Sequence, residues 1–252
     1  MTDTTTQKRG ADHLVDGLAA LGIDTVYSLS GNQIMPVYDA LIGSGLRLVH
    51  TRHEAAAVHM AEADAQLTNR VGVALLTAGP GFANGLSAIF TAQQSQTPVL
   101  VLTGDAPLAR DGHGAFQEMD QLTAAGAFAK ASIKLARAED AFDLIRDAAA
   151  FARGGTPGPV HISLPDDVLR KTTGRDGARR NPALARTEPA STGPVARIAE
   201  RIRAAKRPLI VAGPAFARQA HEAALASHAA ASNIPIIALE SPRGLRAPRI
   251  GA

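Results

Sequence analysis

Short apolar runs rich in β-branched residues recur along the chain, each followed by a longer stretch with helical spacing. The runs are Asp24–Gly31 (DTVYSLSG), Leu46–Glu54 (LRLVHTRHE), Val71–Gly81 (VGVALLTAGPG), Pro98–Asp105 (PVLVLTGD) and Gly158–Val168 (GPVHISLPDDV). The gaps between them are long enough for crossover helices, which predicts an α/β fold: an open parallel sheet with helices on both faces. Among the helices, Glu54–Leu67 is rich in Ala and Met. Ala138–Arg153 places Ala141, Leu144, Ile145, Ala148 and Phe151 on one face before Gly154 and Gly155 stop it. Gly31, Gly79, Pro80, Gly81 and Gly104 close the strands at the ends where open α/β sheets bind ligands.

The pattern changes after Arg170. Residues 171–190 mix Gly, Pro, Thr and Arg without apolar periodicity and read as a linker between a first domain at 1–170 and a second at 191–252. In the second, Pro194–Ala205 and Arg218–Ser232 read as helices, RPLIVAGPAF as a strand and turn, and IPIIALE as another strand. Only two strands are predicted before the segment SPRGLRAPRIGA, and two parallel strands bury little area, so this region reads as an incomplete α/β domain.

Composition narrows the class. Of 252 residues, 46% are hydrophobic and 19% charged, the balance of a soluble protein with a real core. The chain has no cysteine, which excludes disulfides and thiolate metal sites. The polar amino terminus lacks the apolar segment of a secretory signal, and no run approaches the ~20 apolar residues of a membrane span, so a cytoplasmic location without membrane attachment is expected. The net charge is +3, and between Arg170 and Arg207 eleven Lys or Arg face three acids. No aromatic residue lies there to stack on a base, so the basic stretch reads as a solvated linker and no nucleic-acid partner is expected.

Three stretches carry candidate chemistry. The segment Thr77–Gly85 (TAGPGFANG) joins a strand to a helix starting near Phe82, where free N–H groups suit an anion or a polar heterocycle. With Asp105 as a ribose carboxylate it could form a dinucleotide site, but its G-P-G-x-x-x-G spacing and its place in the third βα unit argue against that, and a ligand-free tight turn is the other alternative. His50, His53 and His59 lie close in sequence, yet H-E-x-x-H is absent and no metal site is predicted. Glu54 is explicable as a first-turn acid favoured by the helix dipole. Its place at a strand's carboxyl end makes a ligand-binding carboxylate equally natural. The loop Asp111–Gln121 (DGHGAFQEMDQ) contributes His113, Phe116 and Gln117 at the end of the next strand.

Taken together, SLSGNQIMPVYDAL, VHTRHEAAAVHMAEADAQLT, GVALLTAGPGFANGLSAIFTAQQSQTPVLVLTGD, GAFQEMDQ, GPVHISLPDDV and AAKRPLIVAG resemble, in order, the thiamine diphosphate enzymes of the acetolactate synthase type. The resemblance implies a pyrimidine-binding domain followed by the start of a central domain. It implies that Glu54 hydrogen-bonds N1′ of the cofactor's aminopyrimidine, that Thr77, Pro80, Gly81 and Asn84 lie by that ring, and that Gln117 approaches the reacting centre. Gly31, Asn32 and Gln33 would line the substrate pocket, with His113 and Phe116 as further pocket candidates. The implied reaction is decarboxylation or carboligation of a 2-oxo acid, with thiamine diphosphate as electron sink and Glu54 as proton donor. The family's G-D-G-[SA]…N motif, which holds Mg²⁺ and the diphosphate, does not occur here. The chain is therefore expected to be an amino-terminal piece completed by a second chain, or by the dimeric or tetrameric assembly usual in the family. The alternative is a catalytically inactive binding or regulatory subunit that pairs with a full-length relative.

Overall fold

The computed structural model describes residues 7–173, 184, 192–213, 227, 231–232, 234–238 and 250–251. The chain divides into two compact units, 1–186 and 187–252.

The first unit is built on a six-stranded sheet of order β3-β2-β4-β5-β7-β6, parallel throughout. Its strands are β2 (Thr25–Ser28), β3 (Arg47–His50), β4 (Gly72–Leu76), β5 (Val99–Asp105), β6 (Ala131–Lys134) and β7 (Val160–Pro165). The three central strands β4, β5 and β7 are buried at every position, which explains their nearly unbroken apolar runs. Alternate residues face opposite helical layers. Val73, Leu75, Leu100 and Leu102 join one core cluster, and Ala74, Leu76, Val99 and Val101 join the other.

The first cluster is closed by α1 (Gly10–Ala20), α2 (Met35–Leu41), α6 (Ala141–Arg153) and α7 (Asp166–Arg170), the second by α3 (Glu54–Thr68), α4 (Pro80–Gln94) and α5 (Gln121–Gly126). The open parallel sheet with helices on both faces is thus the fold that the alternating pattern predicts. β6 is the strand absent from that pattern. It is a short edge strand whose sequence, ASIK, alternates too briefly to register.

Two details concern the predicted linker. β1 (Lys8–Arg9) pairs antiparallel with β8 (Thr172–Thr173), and Leu184 is buried in the first core cluster. These residues of 171–190 therefore pack on the first unit. The rest of that segment lies outside the described residues.

In the second unit, α8 (Thr192–Ala204) precedes a parallel three-stranded sheet of β9 (Ile210–Ala212), β10 (Ile236–Ala238) and β11 (Ile250–Gly251), with β10 central. The third strand corrects the expectation of two: Ile250 pairs with Ile236, where a Pro- and Arg-rich segment offers almost no strand signal. Most of the predicted helix Arg218–Ser232 lies outside the described residues. Among the described residues, no helix is long and apolar enough to cross a membrane.

Candidate active site

The strand order reverses between β2 and β4. From β2 the chain moves outward to β3, then returns to place β4 on the other side, which opens a crevice at the carboxyl ends of these strands. Three segments converge there: the turn after β2 with Gly31, Asn32 and Gln33, the start of α3 with Glu54, and the Thr77–Gly81 turn that begins α4.

The polar run Thr51–Glu54 has a separate task for each residue. Thr51 is buried and ties the turn to β2, its N–H donating to Ser28 O (2.8 Å) and its hydroxyl to His53 O (3.0 Å). His53 caps α3, its Nδ1 accepting from Ala55 N (3.2 Å), while Arg52 is exposed. Glu54 is the first residue of the helix and is only 7% exposed. Asn84 Nδ2, one turn into α4, donates to its Oε2 (3.0 Å). Its Oε1 lies beside Gly81, where a Cβ would stand 3.0 Å from it. The carboxylate therefore has one oxygen held and the other presented over backbone that carries no side chain.

The Thr77–Gly81 turn requires its glycines. Gly79 caps α4 at φ 54°, ψ −113°, a conformation in practice restricted to glycine, and a Cβ there would come within 2.8 Å of the Gln117 carbonyl. Pro80 then occupies the first helical turn, so α4 starts two residues before the expected Phe82. A Cβ on Gly81 would stand 2.4 Å from Thr77 Cγ2, and Gly31 packs as closely on the same threonine. Thr77 thus sits between two polar groups, its methyl toward Gly81 and Glu54 and its hydroxyl donating to Gln33 Oε1 (3.0 Å).

Gln33 is 4% exposed and passes the chain of hydrogen bonds on, its Nε2 donating to Gln117 Oε1 (3.1 Å). Gln117 adopts φ 60° in the loop after β5. That loop is clasped by groups the sequence reading did not single out. The Glu118 carboxylate accepts from the N–H groups of Ala115 (2.7 Å) and Gly112, which hold its pKa below the ordinary Glu value. Asp167 accepts from Leu108 N (2.8 Å) and Ala109 N (3.1 Å). Lys134 bridges Asp111 (3.0 Å) and Asp105 (3.3 Å); burial pulls its pKa down, but the two acids outweigh this and leave it raised. Spacings of this kind, far apart in sequence, carry no local signal.

The predicted site residues separate accordingly. Glu54, Thr77, Gly81, Asn84, Gln33 and Gln117 form one contiguous constellation, with Gly31 and Pro80 as its frame. Asn32 is exposed at the rim. His113 and Phe116 lie exposed on the loop surface, Phe116 at 76%. His113 Nδ1 instead sits 3.0 Å from the carbonyl of Asp111.

Asp105 is not placed to bind a ribose. It is 2% exposed and spent on Ser163 Oγ (2.5 Å), Ala106 N (2.8 Å) and Lys134, which removes the dinucleotide reading of Thr77–Gly85. His50, His53 and His59 point to different partners, and among the described residues no cluster of three or more side chains could hold a metal.

The parallel sheet and its crevice of carboxylate, amides and glycines define the class of the first unit. Residues 8–124 match the family described as "Thiamine pyrophosphate enzyme, N-terminal TPP binding domain", and this part of the chain belongs to it. Among curated proteins, human "2-hydroxyacyl-CoA lyase 2" is 40% identical over 167 residues, 66% of this chain and 26% of its own length. A "Probable acetolactate synthase" of Mycobacterium bovis is 37% identical over 231 residues, covering 90% of this chain and 42% of its own. The "Probable acetolactate synthase large subunit" of Methanocaldococcus jannaschii is 34% identical over 213 residues, 81% and 36% respectively. The chain spans between about a quarter and two fifths of the length of these relatives.

Proposed function

We propose that this chain supplies the glutamate-bearing half of the active site of a thiamine diphosphate-dependent 2-oxo acid carboligase or decarboxylase. The observation that carries the reading is the Glu54 carboxylate, buried at the crevice with Oε2 fixed by Asn84 and Oε1 presented beside Gly81.

This arrangement fits an aminopyrimidine. A carboxyl group needs only one oxygen to exchange a hydrogen bond with a ring nitrogen, and the missing side chain at Gly81 lets a flat ring approach it. When bound, thiamine diphosphate supplies an electron sink for cleavage of a bond beside a carbonyl carbon. Glu54 holds and moves a proton at Oε1, while the Asn84 amide keeps the carboxyl from rotating away. The Pro80 turn and the buried Thr51 turn fix the two helix starts that carry these side chains. Gln117 faces the reacting substrate with Gln33 buried behind it, and Mg²⁺ with the diphosphate is held by a domain other than this one.

The test is consumption of a 2-oxo acid by the full chain with thiamine diphosphate and Mg²⁺, alone and mixed with a chain that carries a diphosphate-binding domain. Turnover in the mixture that disappears in Glu54→Gln supports the reading. Turnover that is unchanged in Glu54→Gln overturns it.

A further inference from the structure

We propose that Gln33 is a positioning residue that fixes which end of the Gln117 amide meets a ligand, so that the group recognised there is a hydrogen-bond acceptor such as a carboxylate or carbonyl oxygen. The inference rests on the reading of the crevice as a substrate site and adds the direction of its polarity.

A glutamine amide can offer a ligand either its oxygen or its NH₂, and the two recognise opposite chemistries. In the structure one chain of hydrogen bonds, running from Thr77 through Gln33, selects between them. Thr77 Oγ1 donates to Gln33 Oε1 (3.0 Å), which leaves the Gln33 NH₂ to donate to Gln117 Oε1 (3.1 Å). With its oxygen occupied, Gln117 has its Nε2 left over, which makes no hydrogen bond among the described residues. Its two N–H groups are what the crevice offers.

Both glutamines are held in place. Gln33 is 4% exposed in the turn Asn32–Ile34, and its Cβ lies so close to Gly104 that a Cβ there would come within 2.8 Å. Gln117 is fixed by its left-handed backbone, by the contact of its carbonyl with Gly79, and by the Glu118 clasp on the N–H groups of Gly112 and Ala115. A donor held in advance costs no reorganisation when charge gathers on a bound oxygen.

The polarity can be reversed by design. Gln33→Glu places a carboxylate between Thr77 and Gln117; the threonine still donates, but Gln117 must turn its NH₂ inward and present its oxygen. Gln33→Met keeps the length and removes both hydrogen bonds. The readout is the side-chain amide resonances of Gln117 in the ¹⁵N-labelled full chain mixed with an unlabelled chain that carries a diphosphate-binding domain, assigned by their loss in Gln117→Ala, with pyruvate as the 2-oxo acid probe in the presence of thiamine diphosphate and Mg²⁺. The expected result is that pyruvate shifts these resonances in the wild-type chain. Gln33→Glu moves the amide protons downfield and weakens pyruvate binding roughly 10-fold or more, the worth of one hydrogen bond. Gln33→Met brings the resonances toward those of a free glutamine.

Gln117 resonances that are the same in all three chains overturn the inference, as does pyruvate binding that is unchanged in Gln33→Glu. So does a wild-type Gln117 that pyruvate leaves unmoved. Calorimetry of thiamine diphosphate on the same chains keeps the two readings apart. Loss of cofactor binding in Glu54→Gln with Gln117 unaffected concerns the cofactor site, whereas the Gln33 variants change Gln117 with cofactor binding intact.

Discussion

Asn84 donates from Nδ2 to Glu54 Oε2 across 3.0 Å, joining the second turn of α4 to the first residue of α3. The two helices follow β3 and β4 on either side of β2 and already pack together in one core cluster, so this bond sets the aim of the carboxyl group more than it holds the fold. Asn84→Ala should therefore cost only about 1 kcal/mol of stability, the net worth of a partly exposed hydrogen bond. Thiamine diphosphate affinity should fall further in proportion, because Glu54 is free to turn. Glu54→Gln keeps an acceptor for Asn84 and should leave the unfolding midpoint nearly unchanged. Urea denaturation of both variants beside calorimetric titration with the cofactor separates aim from stability.

The glycines of the turn after β4 divide along similar lines. Gly79→Ala puts a side chain on a backbone at φ 54°, ψ −113° and against the Gln117 carbonyl, so it should cost about 1–3 kcal/mol through strain. Gly81→Ala has ordinary helical backbone, and its Cβ instead meets Thr77 at 2.4 Å and Glu54 at 3.0 Å. It should destabilise by roughly 1–3 kcal/mol as an overpacked contact. Because the displaced atoms belong to the crevice, cofactor binding should also fall. Thermal unfolding and titration of the two variants check this.

Much of this architecture was legible because central parallel strands must be apolar on both faces. The runs at Val71–Leu76, Val99–Asp105 and Val160–Leu164 reveal the sheet, and the glycines closing the first two, with Gly31 after β2, locate the crevice. Edge elements escape that logic. Ala131–Lys134 needs only one paired neighbour and carries polar residues, and Ile250–Gly251 lies in a segment rich in Pro and Arg. The site was legible where one helix start or one turn defines it, as at Glu54 and Thr77–Asn84. It was not legible where a contact spans the chain, as for Gln33 and Gln117, which are 84 residues apart. Nor does a loop sequence say which way a side chain points, and Phe116 and His113 face outward.

Lys134 is the cation that meets the buried Asp105, and it also reaches Asp111 in the Gln117 loop. Among the described residues, Lys134→Met leaves the Asp105 charge with the Ser163 hydroxyl and the Ala106 N–H. The loss should be about 2–3 kcal/mol, toward the low end for a broken buried pair because Lys134 keeps some exposure. Adding Asp105→Asn removes the stranded charge and should recover much of that loss, so the two substitutions should be strongly non-additive in denaturant unfolding. Additive losses would mean that the ion pair contributes little.

His161 makes the fold sensitive to acid. It lies wholly buried in β7, each ring nitrogen 2.8 Å from a hydroxyl, Thr103 at Nε2 and Ser132 at Nδ1, with its ring 5.1 Å from that of Phe82. A neutral imidazole satisfies both hydroxyls with one donor and one acceptor. Protonation would keep the hydrogen bonds but put a charge in the core, and burial pushes the pKa down from 6.5 to about 3. The unfolded chain therefore binds the proton more readily throughout that window. Stability is complete above the unfolded value and is lost progressively as the pH falls toward the folded one, by an amount of order 3–5 kcal/mol. His161→Gln keeps a donor and an acceptor without a titrating group. It should be less stable at neutral pH by roughly 1–2 kcal/mol, because it fills the space less well. Between about pH 6.5 and 4 its stability should fall less steeply than that of the wild type. Parallel decline of the two chains in urea unfolding across that range would place the acid sensitivity elsewhere.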